Sequence, residues 1–210
     1  MPNLQLRYSV PSPYARKVRI VAHELGLTMQ LVATDTWNLP PELFVENPLG
    51  KVPSLLVDGE WTLYDSPVIC EYLITAGEGW SLLPRTGPSR FEVLKQQALG
   101  DGLMDSAVEV FAERNFRPLE MRSPEWIDRQ TAKIATALDH YERSRSQAEV
   151  EFSLGTIAVC CALAYLDFRM PEFSWRLGHP ATKDLYERHA GRPSFRATDP
   201  VPPPQLKGSP

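Results

Sequence analysis

The chain has 210 residues, with 22 Lys and Arg against 26 Asp and Glu and a formal net charge of −4. That balance supplies no general attraction to nucleic acid or to an anionic membrane surface. Hydrophobic residues make up 43% and charged residues 23%, the mix of a globular protein with one large domain or two small ones.

Three cysteines, Cys70, Cys160 and Cys161, include an adjacent pair and no CxxC spacing, which is not the framework of a disulfide-stapled secreted protein. The segment from Met1 to Tyr8 lacks a charged stretch leading into an apolar core, so no signal peptide is expected and the expected compartment is the cytoplasm. The longest apolar run, Ile157 to Leu166, has ten residues, about half of the ~20 a membrane span needs. It is expected to be a buried helix, with Cys160 and Cys161 inert inside it.

In chain order, Leu4, Leu6 and Tyr8 alternate with polar residues and predict a strand. From Tyr14 to Leu25 the spacing of Val18, Val21, Ala22 and Leu25 predicts a helix, closed by Gly26. Leu31 to Ala33 is a second strand, and a short helix follows near Glu42 to Val45. Val52 to Val57 and Trp61 to Leu63 are two strands joined by the Asp58-Gly59 hairpin turn. Asp65 or Ser66 then caps a helix with Val68, Ile69, Tyr72 and Leu73 on its inner face. The order βαβ, hairpin, α is the plan of a thioredoxin-like domain over residues 1–76.

Residues 77–89 hold three glycines and Pro84 and Pro88, and are expected to be a linker. From residue 90 to 210 no strand is expected. Helices are predicted over Phe91–Phe111, Pro124–Tyr141, Ser153–Phe168 and Thr182–Ala190, with Pro118, Pro124, Pro171 and Pro180 as punctuation. The tail from Pro193, with six prolines, is expected to be irregular or extended. His23, His140, His179 and His189 show no metal-like spacing, and no metal site is expected.

Three patches of the first domain stand out: Ser12-Pro13-Tyr14-Ala15-Arg16-Lys17-Val18-Arg19 at the first helix, Asn47-Pro48-Leu49-Gly50-Lys51-Val52-Pro53 before the third strand, and Tyr64-Asp65-Ser66 at the last helix. Together they resemble the glutathione transferase family, here with serine at the active-site position of the omega and zeta classes and of many bacterial members. The resemblance implies a thioredoxin-like domain followed by an all-helical one, glutathione as co-substrate, a homodimer, and no metal. The implied reaction joins the glutathione thiolate to a small apolar electrophile, or is a related isomerisation, dehalogenation or peroxide reduction. A non-catalytic glutathione- or ligand-binding protein of the same fold is the alternative. Omega-like members carry cysteine where Ser12 stands, so thiol–disulfide exchange is not implied.

The physical chemistry agrees with that assignment. A free thiol with a pKa of about 8.5 is only roughly 3% ionised at pH 7, and lowering the pKa by ~2 units takes about 2.7 kcal/mol of preferential interaction with the anion. A hydroxyl donor and a helix N-terminus together supply interaction of that size. Ser12 is placed to provide both. Tyr8, at the end of the first strand, and Ser9 are rivals for the hydroxyl.

A cis bond before Pro53, as in the family's loop, would turn the Val52 N–H and C=O toward the peptide backbone of glutathione. Lys51 is placed for a glutathione carboxylate, Ser66 for the γ-glutamyl carboxylate and Asp65 for its ammonium. The resemblance implies that Asp101 reaches the γ-glutamyl ammonium of the other subunit. Tyr14, Met104, Ala107, Val108 and Phe111 are the expected co-substrate pocket, the last four sharing a helical face. Ser153 is expected to cap the helix after it, without the reciprocal bond of the family's aspartate, because Thr156 stands there.

Overall fold

The computed structural model describes residues 2–36, 38–145 and 152–200. The amino-terminal unit runs β1 (Leu4–Tyr8), α1 (Pro13–Glu24), β2 (Gln30–Ala33), α2 (Pro41–Glu46), β3 (Ser54–Val57), β4 (Trp61–Leu63) and α3 (Ser66–Ala76). The sheet order is β2-β1-β3-β4, with β1 and β2 parallel and the other two pairs antiparallel. Strand alternation divides the faces. Leu4, Leu6, Leu55 and Val57 are buried with Val18, Ile20, Val21, Ile69 and Leu73 of α1 and α3. Arg7, of opposite parity, pairs with Glu46 of α2 at 2.6 Å. The β3–β4 turn has φ of +53° at Asp58 and +73° at Gly59, the two positive values that Asp-Gly hairpins supply.

The carboxyl-terminal unit is all helix among the described residues: α4 (Pro88–Phe116), a 3₁₀ turn (Leu119–Met121), α5 (Pro124–Arg145), α6 (Leu154–Arg169), α7 (Pro180–Ala190) and α8 (Pro193–Arg196). This is the architecture expected, a thioredoxin-like domain followed by an all-helical one. Every residue of α6 from Leu154 to Leu166 is buried, including Cys160 and Cys161, so the ten-residue apolar run is a central core helix. No described helix is long and apolar enough to cross a membrane.

Helices α4 and α6 touch at two glycines. A Cβ on Gly100 would lie 2.6 Å from the Ala158 carbonyl carbon, and one on Gly155 would lie 2.5 Å from Gln96 Cβ. At the start of α6, Ser153 Oγ accepts the Thr156 N–H at 3.3 Å, and the two hydroxyls lie 3.3 Å apart. The Leu154 N–H donates to Leu82 O at 2.8 Å, tying α6 to the segment before α4.

Two expectations are corrected. The predicted linker ends early, because Pro88 is the first residue of α4 and not a spacer. The tail is not irregular where it begins: residues 193–196 form α8, and Phe195 is 1% exposed. Arg16 of α1 holds this end by donating to Phe195 O at 3.2 Å and to the Asp199 carboxylate. Residues 201–210, which carry the remaining tail prolines after Pro200, lie outside the described residues.

Candidate functional site

One end of the sheet collects the three sequence patches. Strands β1 and β4 are both antiparallel to β3 and therefore run the same way. The carboxyl end of β1 (Tyr8), the entry to β3 (Val52-Pro53) and the exit from β4 (Tyr64-Asp65) all fall on that end. Register confirms it, since Arg7 faces Ser54 and Leu55 faces Leu63. The connection from β1 leads into α1 and that from β4 into α3, so both helices begin there. Two helix N-termini, with the positive ends of their dipoles, thus lie at the same end of the sheet as the proline loop.

Ser12 is the N-cap of α1, half-buried and in extended backbone, and its Oγ accepts the Ala15 N–H at 3.2 Å. That bond uses an oxygen lone pair and leaves the hydroxyl hydrogen available to donate. Capping and anion binding are therefore compatible roles. Ser9 contributes its carbonyl to the same turn, accepting the Ser12 N–H at 3.1 Å. Tyr8 is half-buried, with the Arg19 guanidinium 5.0 Å from its ring centroid.

The Val52–Pro53 peptide is cis, and so is the non-proline Tyr64–Asp65 bond. Pro53 is buried and Lys51 is exposed, while Asn47 Nδ2 donates to Lys51 O at 2.8 Å and fixes the loop. Asp65 is the N-cap of α3, its carboxylate accepting the Ser66 N–H. Ser66 is fully buried and its Oγ has no hydrogen-bond partner among the described residues. The Ser54 hydroxyl, at the start of β3, is buried and unpartnered too.

Where α1 meets α4, Lys17 is fully buried and its Nζ donates to Asp101 Oδ1 at 2.5 Å. Burial pushes the Asp101 carboxyl up and Lys17 opposes that shift, with Asp65 close enough to add to the rise. Asp101 thus has a partner inside its own chain through Oδ1, and its side chain remains 19% exposed. One turn on, Asp105 Oδ1 accepts the Tyr14 hydroxyl at 2.5 Å. Burial, then this bond to a carboxylate, holds the Tyr14 phenol well above its usual range. Tyr14 is therefore a neutral donor already engaged.

The expected co-substrate face of α4 splits. Met104 and Ala107 are fully buried in the core, because their side of the helix packs inward where Gly100 admits α6. Of the four, only Val108 and Phe111 remain partly exposed. Sequence reasoning did not single out Lys17, Asp105, Tyr165 or Arg169. Lys17 carried a signal, a lysine on the apolar stretch of α1, but its partner is 84 residues away. Cys160 and Cys161 are buried as expected and Cys70 is buried as well; burial pushes the Cys161 thiol up to about 11 and that of Cys70 to about 12. No described group of three His, Cys, Asp or Glu side chains is arranged to hold a metal ion.

A thioredoxin-like domain with a serine-capped helix and a cis-proline loop, followed by a helical bundle packed against α1, is the architecture of the glutathione transferase class. Comparison with known proteins agrees. Residues 11–76 match the model for the glutathione S-transferase N-terminal domain and residues 124–188 that for the C-terminal domain. The GST-like protein YibF of Escherichia coli strain K12 is 33% identical over 200 residues, covering 94% of this chain and 98% of that protein. A crystal structure of a glutathione transferase family member from Pseudomonas fluorescens Pf-5 with bound glutathione superimposes with a TM-score of 0.88 at 38% identity, covering 95% of this chain and all of that one. A second Pf-5 structure, with bound S-(propanoic acid)-glutathione, gives 0.86 at 40% identity over 95% of this chain and 100% of that one. The chain belongs to the glutathione S-transferase family.

Proposed function

We propose that the protein is a glutathione transferase in which Ser12 stabilises the glutathione thiolate for attack on a small, largely apolar electrophile. The observation that carries this reading is the convergence of Ser12, Val52-Pro53 and Asp65-Ser66 on one end of the sheet. The relatives that hold glutathione or an S-substituted glutathione support it.

The N-terminus of α3 receives the γ-glutamyl carboxylate. The Ser66 N–H, now held by Asp65, passes to that carboxylate, and Asp65 is freed to face the ammonium. Val52 pairs with the cysteinyl backbone as an added strand does, and Lys51 faces the second carboxylate. Ser12 donates its hydroxyl hydrogen to the sulfur, while the α1 dipole favours the negative charge. The electrophile lies against Tyr14, Val108 and Phe111. The reaction is conjugation or a related isomerisation, dehalogenation or peroxide reduction, carried out in the cytoplasm without a metal.

The same reading includes a homodimer. Trp61, Val68 and Phe91 are 46%, 48% and 67% exposed. A groove of about 520 Å³ opens between α4 and α5, lined by Leu99, Leu103, Trp126 and Gln130 among others. A second copy of the chain is the occupant, and light scattering checks it.

The test is retention on immobilised glutathione together with turnover of an aryl halide. Wild type and Ser12→Ala should both be retained. At pH 7 the variant should turn over roughly 20- to 30-fold more slowly, the ratio of thiolate at a pKa of about 6.5 to that at about 8.5. Tyr8→Phe should stay within about twofold of wild type. A loss in Tyr8→Phe alone would move the role to Tyr8, and retention without turnover would mean a binding protein.

A further inference from the structure

At the carboxyl end of α6 the guanidinium of Arg169 packs on two aromatic rings, 4.2 Å from the Phe111 centroid and 4.1 Å from that of Phe168. Its Nε is buried and has no hydrogen-bond partner among the described residues. A guanidinium packed on aromatic rings donates in its own plane, toward a ligand arriving edge-on.

The carboxylates nearby are already used. Asp167 accepts both Arg176 Nη1 and Nη2 at 2.6 and 2.7 Å, and also Trp175 Nε1. Glu172 pairs with Arg114. Asp105 holds the Tyr14 hydroxyl. Arg169 therefore keeps a charge that no described carboxylate neutralises, beside Phe111 and one helical turn from Tyr165. The Tyr165 side chain is hydrogen-bonded to Arg169 and lies within electrostatic reach of Tyr14, so Arg169 has a neutral partner there but no anionic one among the described residues. In a poorly hydrated setting a cation without a counter-charge is costly, and a ligand carboxylate that bonds the free Nε–H relieves that cost.

We propose that Arg169 is a specificity-determining residue that binds a carboxylate on the electrophilic co-substrate, so that the preferred acceptors are small organic acids with an apolar body. Asp105 adds to the discrimination, because its negative charge at the Tyr14 side disfavours the anionic end there and directs it toward Arg169. The inference rests on the glutathione transferase reading and narrows its expected apolar electrophile.

Calorimetry with three probes tests it: glutathione, S-(2-carboxyethyl)glutathione and the uncharged amide S-(2-carbamoylethyl)glutathione. Wild type should bind the carboxyethyl derivative at least about tenfold more tightly than the amide. Arg169→Gln should erase that difference and leave glutathione affinity within about twofold. Equal binding of acid and amide by the wild type overturns the proposal without any variant, and so does a preference that survives in Arg169→Gln. If glutathione binds normally in either case, only the Arg169 assignment falls. If none of the three probes binds, the glutathione reading falls and takes this one with it.

Discussion

Lys17 carries a positive charge to a position with no solvent exposure, and Asp101 answers it from the other domain. Removing one member strands the other, which typically costs 3–5 kcal/mol, whereas replacing both with apolar groups is far milder. Lys17→Met should therefore lower the urea-unfolding free energy by about 3–5 kcal/mol, and the double variant Lys17→Met/Asp101→Leu should recover most of it. An additive double variant would show that the pair is not coupled. Residue-scale legibility divides by sequence distance. The caps Ser12 and Asp65 were readable from local helix-start chemistry, and the cis bond before Pro53 from the family resemblance. Lys17 with Asp101 and Tyr14 with Asp105 were not, since 84 and 91 residues separate the partners and only the packing of α1 on α4 creates the pairs.

At the scale of elements, two glycines of α4 make a matched pair. Gly100 abuts the α6 backbone, while a Cβ on Gly102 would meet nothing within 4 Å. Gly102→Ala should stabilise the protein by roughly 0.5–1 kcal/mol through helix propensity alone. Gly100→Ala should destabilise it by about 1–3 kcal/mol, because backbone atoms must give way. Thermal melts of the two variants should move in opposite directions.

Helix α7 shows capping at a distance. Its N-cap His179 makes no side-chain cap bond. Glu142 of α5 instead accepts the Ala181 and Thr182 N–H groups at 2.9 and 2.8 Å, and the Thr182 hydroxyl as well. Loss of this cap in Glu142→Ala should cost about 1–2 kcal/mol, measured by denaturant unfolding. The long helices were legible from apolar spacing or, for α6, from a continuous apolar run, but several starts were not. Pro88, Pro180 and Pro193 look like punctuation, and each is instead the first residue of a helix. Proline fits there because its missing N–H is unpaired in any case.

At the scale of the molecule, the end of the chain is stitched back onto the first domain. Arg192 donates to both Glu24 oxygens, at 2.9 and 2.6 Å, and Ser194 donates to Glu24 as well. The Arg192 bonds hold the Glu24 carboxyl below its ordinary value of 4.5. A depressed carboxylate contributes stability that is present above its unfolded pKa and lost as pH falls through its folded pKa. Glu24→Gln should therefore be less stable than wild type at pH 7. The gap should begin to close below about pH 4.5 and vanish in stronger acid. A pH series of chemical denaturation curves checks this, and a gap constant with pH would mean the contact is not electrostatic.

The two-domain plan itself was legible, since the βαβ-hairpin-α order and the strand-free second half each imply their layers. How the domains meet was not, because Arg16, Lys17 and Glu24 all sit on a helix that local pattern marks only as amphipathic. The most direct measurement is the ultraviolet absorbance of the thiolate in bound glutathione, titrated against pH in wild type and Ser12→Ala. In wild type the sulfur should ionise about two units below the free thiol, and in Ser12→Ala at or near the free value of about 8.5. Glutathione that binds tightly to the wild type yet ionises at its free value would contradict the account.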